Sequence, residues 1–267
     1  MKSIFLFIII TTSAPLFAQT LEQRNGLLLK SDKQSILPEV EQFFGYDLYA
    51  QLYWTNKNTL YKSGSQGNFE FQELMLGPIA QVDLKNPLTV LVFYRETNTL
   101  LFLDNRLNEK RRIDFNLIEE FPQVQWVFNA GSNRLWIMDQ NSQSLWVYDT
   151  QSMRVVFQSL PLPNLGELKC RYNDCIAQTS EELLWISLYG TITKRQALST
   201  GKLMGYSQDH VLIKQDEGLF DLKSNQDWYF PEIRPENQIN DLQLTQDFLY
   251  IYDSNVIRRF PLKSIKQ

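Results

Sequence analysis

The chain contains a single histidine, His210, and this limits the chemistry that the sequence supports. A zinc site built from several histidines is excluded, and a serine–histidine–aspartate triad would depend on this one residue. His210 begins the strand-like segment HVLIKQ, so we interpret it as a structural residue whose ring is satisfied within the fold. We therefore assign no catalytic residue and expect a protein that is not an enzyme.

Three pairs of adjacent carboxylates are the next candidates for acid–base chemistry: Glu119-Glu120, Glu181-Glu182 and Asp216-Glu217. Glycoside hydrolysis needs two acids that face each other across the sugar. Neighbouring residues of a strand point to opposite faces, so these pairs indicate solvated turns or strand ends.

A calcium site at the mouth of a central channel is a different alternative. It would need acids and amides from several strands that converge on one point. Candidates for such a site are Asp83, Asp139, Asp241 and Asn129.

Two basic clusters, Lys110-Arg111-Arg112 and Arg258-Arg259, could attract an acidic partner or lipid headgroups. Charged residues also protect an outer strand from pairing with other chains, and this is the interpretation we favour. Trp54, Tyr94 and Tyr189 lie next to turns, where aromatic rings could form a sugar-binding platform. Most aromatic residues recur at matching strand positions, which indicates packing between sheets instead.

The two cysteines, Cys170 and Cys175, flank the turn-forming dipeptide Asn173-Asp174. Residues that face each other across a tight hairpin can satisfy disulfide geometry. The spacing is not that of a redox C-x-x-C motif, and no histidine or third cysteine lies near enough in sequence to suggest a metal site. We predict a structural disulfide, which fits export to an oxidising compartment.

Residues 1–18, MKSIFLFIIITTSAPLFA, carry a lysine near the start, a short apolar run and a small residue before Gln19. These features predict a cleaved signal peptide, and the apolar run is too short to span a bilayer. Residues 19–267 are long enough for one large all-β domain. The net charge of −4 argues against a nucleic-acid partner. We expect a soluble, exported protein.

A short sequence motif recurs along the chain, as NTLYKSG, NTLLFLD and QSLWVYD. Each copy is part of a longer hairpin pattern. In each copy an alternating apolar strand leads into a polar turn and a second strand, and further extended segments flank most hairpins. Four short strands in a unit of about forty residues predict the blade of a β-propeller. The six hairpin stretches are 48–64, 88–104, 133–149, 182–196, 210–224 and 247–262.

We predict an all-β chain with a single six-bladed propeller. No fourth strand follows the last hairpin, so we expect Gly26–Asp32, GLLLKSD, to complete the last blade as its outer strand and close the ring. A count of seven blades follows if Leu165–Ala177 forms a sheet of its own. A β-sandwich does not explain hairpins at a near-constant interval, and no Pro/Gly/Ser linker divides the chain.

The segment Leu76–Leu107, LGPIAQVDLKNPLTVLVFYRETNTLLFLDNRL, combines a GPI…VD start, an NP turn and an FLDN strand. It resembles a phrase shared by uncharacterised secreted propeller proteins of Bacteroidota, and the later stretch WIMDQNSQSLWVYD continues the resemblance. The similarity covers most of the chain after the leader. It implies a single propeller in the periplasm or at the outer membrane, and it brings no established catalytic residues.

A propeller without a catalytic constellation presents two loop faces whose sequences are free to vary. We therefore predict a periplasmic protein-binding scaffold, or an accessory subunit of an envelope or outer-membrane assembly, without a cofactor or resident metal. Its expected partner is a protein of the cell envelope; neither nucleic acid nor a membrane span is expected. The alternative is a channel-centred ligand-binding or calcium-binding enzyme of the lactonase-like propeller type.

The predicted contact residues lie in turns that differ between the repeats. These turns join the two strands of the recurring hairpin in four of the predicted blades. The residues are Asn56, Lys57, Asn58, Arg95, Glu96, Asn98, Gln140, Asn141, Asp253 and Asn255.

Overall fold

Six β-sheets make up the described part of the chain, a computed structural model that covers residues 26–37, 40–120, 122–198, 200–216, 218–233, 239, 241–253 and 255–262. Five of these sheets have four strands and one has five. The sheets are arranged in a ring, so the chain is a six-bladed β-propeller, as predicted. The predicted signal peptide, residues 1–18, lies outside the described residues.

Blades 1 to 3 are simple antiparallel sheets in which consecutive strands are neighbours. Blade 1 comprises β3 (Gln42–Tyr46), β4 (Leu52–Asn56), β5 (Thr59–Gly64) and β6 (Gly67–Phe71). Blade 2 comprises β7 (Gln81–Asp83), β8 (Val90–Tyr94), β9 (Thr99–Leu103) and β10 (Glu109–Asp114). Blade 3 comprises β11 (Val124–Asn129), β12 (Arg134–Asp139), β13 (Ser144–Asp149) and β14 (Arg154–Gln158).

Blades 4 to 6 follow the same plan, and two short strands precede blade 1, namely β1 (Gly26–Leu28) and β2 (Lys33–Ile36). Blade 4 comprises β15 (Glu167–Cys170), β16 (Asp174–Gln178), β17 (Glu182–Ser187) and β18 (Ile192–Ala197). Blade 5 comprises β19 (Lys202–Tyr206), β20 (Val211–Gln215), β21 (Gly218–Asp221) and β22 (Gln226–Tyr229). Blade 6 comprises β23 (Asp241–Leu244), β24 (Phe248–Asp253) and β25 (Val256–Pro261). First strands of neighbouring blades contact one another at four of the six junctions, so these strands lie nearest the centre of the ring.

Burial explains why the middle strands are apolar throughout. Every residue of β8 (VLVFY) and β9 (TLLFL) is buried, because both faces of a middle strand pack against neighbouring blades. Outer strands alternate, as in β14, where only every second side chain is partly covered. The core therefore lies between blades: one cluster joins Tyr53 and Leu60 of blade 1 to Val92 and Leu101 of blade 2.

In blade 4 the recurring hairpin occupies different strand positions from those it has in the other blades. In the other blades the recurring hairpin supplies the second and third strands, but stretch 182–196 supplies the third and fourth, β17 and β18. The cysteine hairpin of Leu165–Ala177 supplies the first two strands, so it completes blade 4 and forms no seventh blade. Because this hairpin is displaced by one strand position, the intervals before and after stretch 182–196 are uneven.

The N-terminal closure also differs in detail. The predicted outer strand Gly26–Asp32 was the wrong segment: β1 pairs parallel with β22 and gives blade 5 a fifth strand. The next strand, β2, pairs antiparallel with β25 and completes blade 6. Leu29 between them is buried with Trp228 and Phe260, so the apolar run GLLL packs at the junction of blades 5 and 6.

Cys170 and Cys175 form the predicted disulfide across the β15–β16 hairpin, where they are a register pair. Cys175 is completely buried. The covalent loop is short, so it stabilises the fold by about 2 kcal/mol at most.

Side chains also join the blades by hydrogen bonds to backbone atoms. At each of the six junctions, a side chain of one blade bonds the main chain of the next blade or the segment that leads into it. The pairs are Gln243–Tyr46, Lys62–Asn105, Gln81–Val127, Trp136–Arg171, Gln178–Leu203 and Lys214–Ile239. Each contact satisfies polar groups at the junction, where an unpaired group would be costly.

The bond that closes the ring depends on a glycine. The Gln243 amide accepts from the Tyr46 N–H and donates to the Tyr46 carbonyl, both at 2.7 Å. The preceding residue, Gly45, has φ +106°, and a Cβ placed there would lie 2.3 Å from the Gln243 side chain. Only glycine allows blade 6 to approach blade 1 this closely.

We expect Gly45→Ala to lower the free energy of unfolding by about 2–4 kcal/mol, because it adds backbone strain and displaces the Gln243 amide. Urea unfolding monitored by tryptophan fluorescence measures this change. The control is Gly166→Ala, where the nearest atom to the new Cβ lies 3.7 Å away and little change is expected. Equal stability of the two variants would contradict the proposed role of Gly45.

Candidate interaction face

The turns between the second and third strands lie on one face of the ring, together with the connections between blades. Hydrogen bonds join the two kinds of segment at several junctions. Leu162 N donates to Gln143 O at 2.7 Å, and Leu37 N donates to Asn255 O at 2.9 Å. We call this side the turn face, and the side that bears the other two sets of turns the opposite face.

Two asparagines of the predicted contact set hold these connections in place. Asn58 and Asn98 both have positive φ, which asparagine tolerates better than most residues. The Asn58 amide bonds Gly77 O and Ile79 N, and the Asn98 amide bonds Pro122 O and Val124 N. Their side chains therefore fix the start of the next blade, and Asn98 is buried.

The other predicted contact residues differ in accessibility. Asp253 is buried and its carboxylate lies 3.2 Å from the Arg258 guanidinium, while Asn56 is half-buried. The exposed members of the set are Lys57, Arg95, Glu96, Gln140, Asn141 and Asn255. These six side chains are the part of the predicted contact set that a partner could reach directly.

Exposed apolar side chains lie on the same face, and the sequence pattern did not predict their exposure. At four successive junctions, from blade 6/1 to blade 3/4, large apolar residues are 71–85% exposed. We call this set the apolar row; it consists of Ile36, Leu74, Met75, Leu117 and Leu160.

Three members of the apolar row, Leu74, Met75 and Leu117, lie in short 3-10 helices that follow outer strands. Strand β6 ends at Phe71, and the Glu73 side chain then accepts from Met75 N and begins a short 3-10 helix, Leu74–Leu76. Asp114 begins the helix Phe115–Leu117 in the same way after β10. For these two helices, the signal in the sequence was an acidic residue, Glu73 or Asp114, directly before an apolar residue at the end of an extended segment.

Charged residues cluster at one end of the central channel. Glu167, Lys202 and Asp241 begin the first strands of blades 4, 5 and 6, and Lys202 Nζ lies 2.9 Å from the Glu167 carboxylate. Lys169 Nζ lies 3.8 Å from the same carboxylate. Burial within the channel lowers the pKa of Lys169 and raises the pKa of Asp241.

The four candidate calcium ligands do not come together as a set. Asp83 accepts from Asn129 N at 2.9 Å, so these two residues are close. Asp139 lies at the end of β12 and accepts from Gln123 N and Ser142 N, whereas Asp241 begins β23. Within the described part of the chain, no three His, Cys, Asp or Glu residues are grouped to hold a metal ion.

His210 is held in the structural role predicted for it. Its Nδ1 atom lies 2.9 Å from the Asp221 carboxylate, and its ring packs edge-on against Trp228. Burial alone would raise the pKa of Asp221, but hydrogen bonds from His210, Ser224 and Val211 N outweigh it and hold the pKa below the ordinary value of 3.8.

The remaining sequence candidates are dispersed over the surface or buried. Glu119 and Glu120 are exposed, Glu182 pairs with Arg195, and Glu217 lies outside the described residues. Among the aromatics, Tyr94 is completely buried, Trp54 stacks on Tyr61 and Tyr189 is exposed beside Phe157.

The two basic clusters lie at different strand positions, and both make ion pairs. Lys110-Arg111-Arg112 lies on β10, the outer strand of blade 2, whereas Arg258-Arg259 lies on β25, the third strand of blade 6, which β2 covers. Arg112 pairs with Glu109 and Glu73, Arg258 with Asp253, and Arg259 with Asp32. The prediction of a charged outer strand is confirmed for the first cluster and wrong for the second.

No protein-family model matches the chain. No curated protein matches it. Solved structures do, among them virginiamycin B lyase from Staphylococcus aureus, with a TM-score of 0.56, 11% identity and coverage of 81% of this chain and 78% of the lyase. The WD40 domain of Pan2 from Neurospora crassa matches with a TM-score of 0.54, 11% identity and coverage of 83% and 74%. PorZ from Porphyromonas gingivalis matches with a TM-score of 0.51 and 12% identity over 86% of this chain and 34% of PorZ.

The fold is that of the β-propellers. At these identities the likeness shows the fold alone, and the neighbours differ in their roles, so function has to be argued from the site. PorZ comes from a member of Bacteroidota, the group whose secreted propellers the sequence resembles. Among the described residues, no helix has the length and apolar character needed to cross a membrane.

We expect Asp221→Ala to lower the free energy of unfolding at pH 7 by about 2–4 kcal/mol, because it leaves His210 and Val211 N without their acceptor. In the wild-type protein the pKa of Asp221 is lower in the folded state than in the unfolded state. The stability that the Asp221 carboxylate contributes is therefore present above the unfolded pKa and is lost as the pH falls through the folded pKa. When urea unfolding is measured between pH 6 and pH 2.5, the free energies of unfolding of the wild type and the variant should therefore converge below about pH 4. The exposed Glu119→Ala variant is the control, and a constant difference across this range would contradict the role of the Asp221 charge.

Proposed function

We propose that this propeller is a non-enzymatic scaffold of the cell envelope that binds a protein partner through its turn face. The observation that carries the proposal is the apolar row, Ile36, Leu74, Met75, Leu117 and Leu160. Isolated exposed apolar residues are ordinary on protein surfaces. Here four of them lie in connections between blades, and Ile36 is the last residue of β2 before such a connection, so the row extends over four successive junctions.

Burying these side chains against a partner would supply a substantial driving force. A leucine or methionine side chain contributes roughly 1.5–3 kcal/mol when it is fully removed from water. The exposed polar residues Lys57, Arg95, Glu96 and Gln140 lie in turns on the same face and would add polar contacts to such an interface. Protein–protein interfaces commonly combine apolar and polar contacts in this way.

The backbone of the turn face favours a preformed surface. Asn58 and Asn98 tie two of the connections to adjacent turns, and Thr97 Oγ1 donates to Leu76 O at 3.0 Å. Connections held in this way lose little conformational freedom when a partner binds. A rigid face of this kind is suited to scaffolding.

Two further observations support the absence of catalysis. Replacement of one histidine inactivates virginiamycin B lyase, an enzyme among the structural neighbours. In this chain the single histidine is buried on Asp221 and packs against Trp228. The lactonase-like alternative has less support, because Asp139 and Asp241 lie apart from Asp83 and Asn129.

An extracytoplasmic location fits the disulfide between Cys170 and Cys175, since such bonds persist in oxidising compartments. PorZ, a propeller-containing neighbour, is a bacterial surface component of the type-IX secretion system. We infer an envelope assembly as the setting for this chain as well, with a protein as its partner.

The proposal predicts that Met75→Glu combined with Leu117→Glu abolishes partner binding. Both side chains are more than 80% exposed, so the substitutions should leave the melting temperature nearly unchanged. Two buried carboxylates in the interface should reduce recovery of the partner about ten-fold or more. The measurement is quantitative mass spectrometry of proteins that copurify from membranes in mild detergent.

The matched control is Leu48→Glu, a residue 79% exposed in the turn between β4 and β3 on the opposite face. It should leave recovery of the partner unchanged. Loss with Leu48→Glu and retention with the double variant would assign binding to the opposite face. A wild-type protein that is recovered alone, as a monomer, would refute the scaffold function.

A further inference from the structure

A pocket of about 530 Å³ opens between blades 2 and 3 on the opposite face. Its walls include Asn86 of blade 2 and the turn between β11 and β12 of blade 3, with Tyr172 of blade 4 at one side. The Tyr172 hydroxyl donates to Lys85 O at 2.9 Å, so this side chain spans blade 3 and reaches blade 2. Parts of three blades thus contribute to one concave site, separate from the turn face.

The charged residues that line the pocket are all basic. Three basic residues line it, Lys110, Arg111 and Arg134, and no carboxylate is among its lining residues. The Arg111 guanidinium stacks 4.2 Å from the Phe102 ring centre, and it also donates to Thr150 O at 3.4 Å. Arg111 is therefore oriented between the two blades, with further N–H groups available to a ligand.

The nearest acids are engaged by their own turns. Asp149 faces Arg134 across β13 and β12, and it accepts from Gln151 N and Ser152 N. Asp104, whose pKa Lys110 helps to lower, accepts from Arg106 N and Asn108 N. A third acid, Asp83, accepts from Asn129 N of the pocket wall and pairs with Lys85. None of the three carboxylates is among the lining residues, and each is engaged by other partners.

The wall of the pocket has an unusual backbone. Gly131, Ser132 and Asn133 have φ values of 70°, 43° and 62°, and Arg134 N donates to Gly131 O to close the turn. A left-handed conformation is unfavourable for serine, and strained backbone of this kind concentrates at functional sites. Among the described residues, no hydrogen-bond acceptor is found for the amide groups of Ser132 and Asn133. Free backbone amides beside cations are suited to binding an anion.

We propose that this pocket binds the anionic oxygen group, a carboxylate or a phosphate, of a small polar molecule. The negative charge of this group is attracted by Arg111, Lys110 and Arg134. Its oxygens accept hydrogen bonds from the backbone amides of Ser132 and Asn133. The volume exceeds what a bare ion needs and falls in the range of small-molecule sites. The amide of Asn86 and the ring of Tyr172 are placed to contact the uncharged part of the ligand.

The test is isothermal titration calorimetry of the purified protein with glucuronate, glucose 6-phosphate, inorganic phosphate and uncharged glucose as probes. We expect one or both sugar anions to bind, inorganic phosphate to bind more weakly and glucose not to bind. A preference for glucuronate identifies a carboxylate ligand, and a preference for glucose 6-phosphate identifies a phosphate ligand. Absence of binding by all anions at millimolar concentration overturns the proposal.

Lys110→Gln combined with Arg134→Gln should weaken binding of the preferred probe by about ten-fold or more. Arg112→Gln is the matched control, because Arg112 lies on the same strand as Lys110 but pairs with Glu109 outside the pocket. An equal loss in the control would show non-specific attraction and overturn the assignment. In an amide NMR titration of the wild-type protein, the Ser132 and Asn133 signals should shift, and a titration that leaves both unchanged would exclude this pocket.

Discussion

The structure depends on the burial of both faces of the middle strands. A blade such as blade 2, with β8 and β9 apolar on both sides, exposes a large hydrophobic surface unless another blade covers each side. No blade can meet this requirement alone, so the ring has to close. The N-terminal strands β1 and β2 complete this closure by pairing with blades 5 and 6, and Gln243 joins blade 6 to blade 1 through Tyr46.

Close packing of the blades also determines what the two faces can offer. Connections between blades have to turn sharply, and Glu73 and Asp114 begin short helices that leave Met75 and Leu117 in solvent. The repeated geometry of the ring thus places Met75 and Leu117 at equivalent points around the turn face. On the opposite face, the junction of blades 2 and 3 leaves a basic pocket instead. The two faces therefore differ in their chemistry.

The titratable residues of the interior serve mainly the fold. His210 and Asp221 satisfy each other, Lys62 bonds Asn105 O across a junction, and Lys169 lies beside Glu167 in the channel. Removing polar groups from water is costly unless they find partners, and each of these groups has one. This arrangement leaves the surfaces, where loops vary freely, as the places for recognition.

The sequence by itself determined the architecture, because a period of about forty residues with four short strands fits little else. It also indicated the disulfide and the structural role of His210, since local spacing and residue counts decide both. Tertiary structure alone decided the phase of blade 4, the segment that closes blade 6 and the burial of Asn98. Hairpins look alike wherever they lie in a blade, and GLLL and KQSI are equally short, so only packing between blades distinguishes them. The apolar row and the basic pocket combine residues from several blades, and sequence reveals such neighbours only once the ring is assembled.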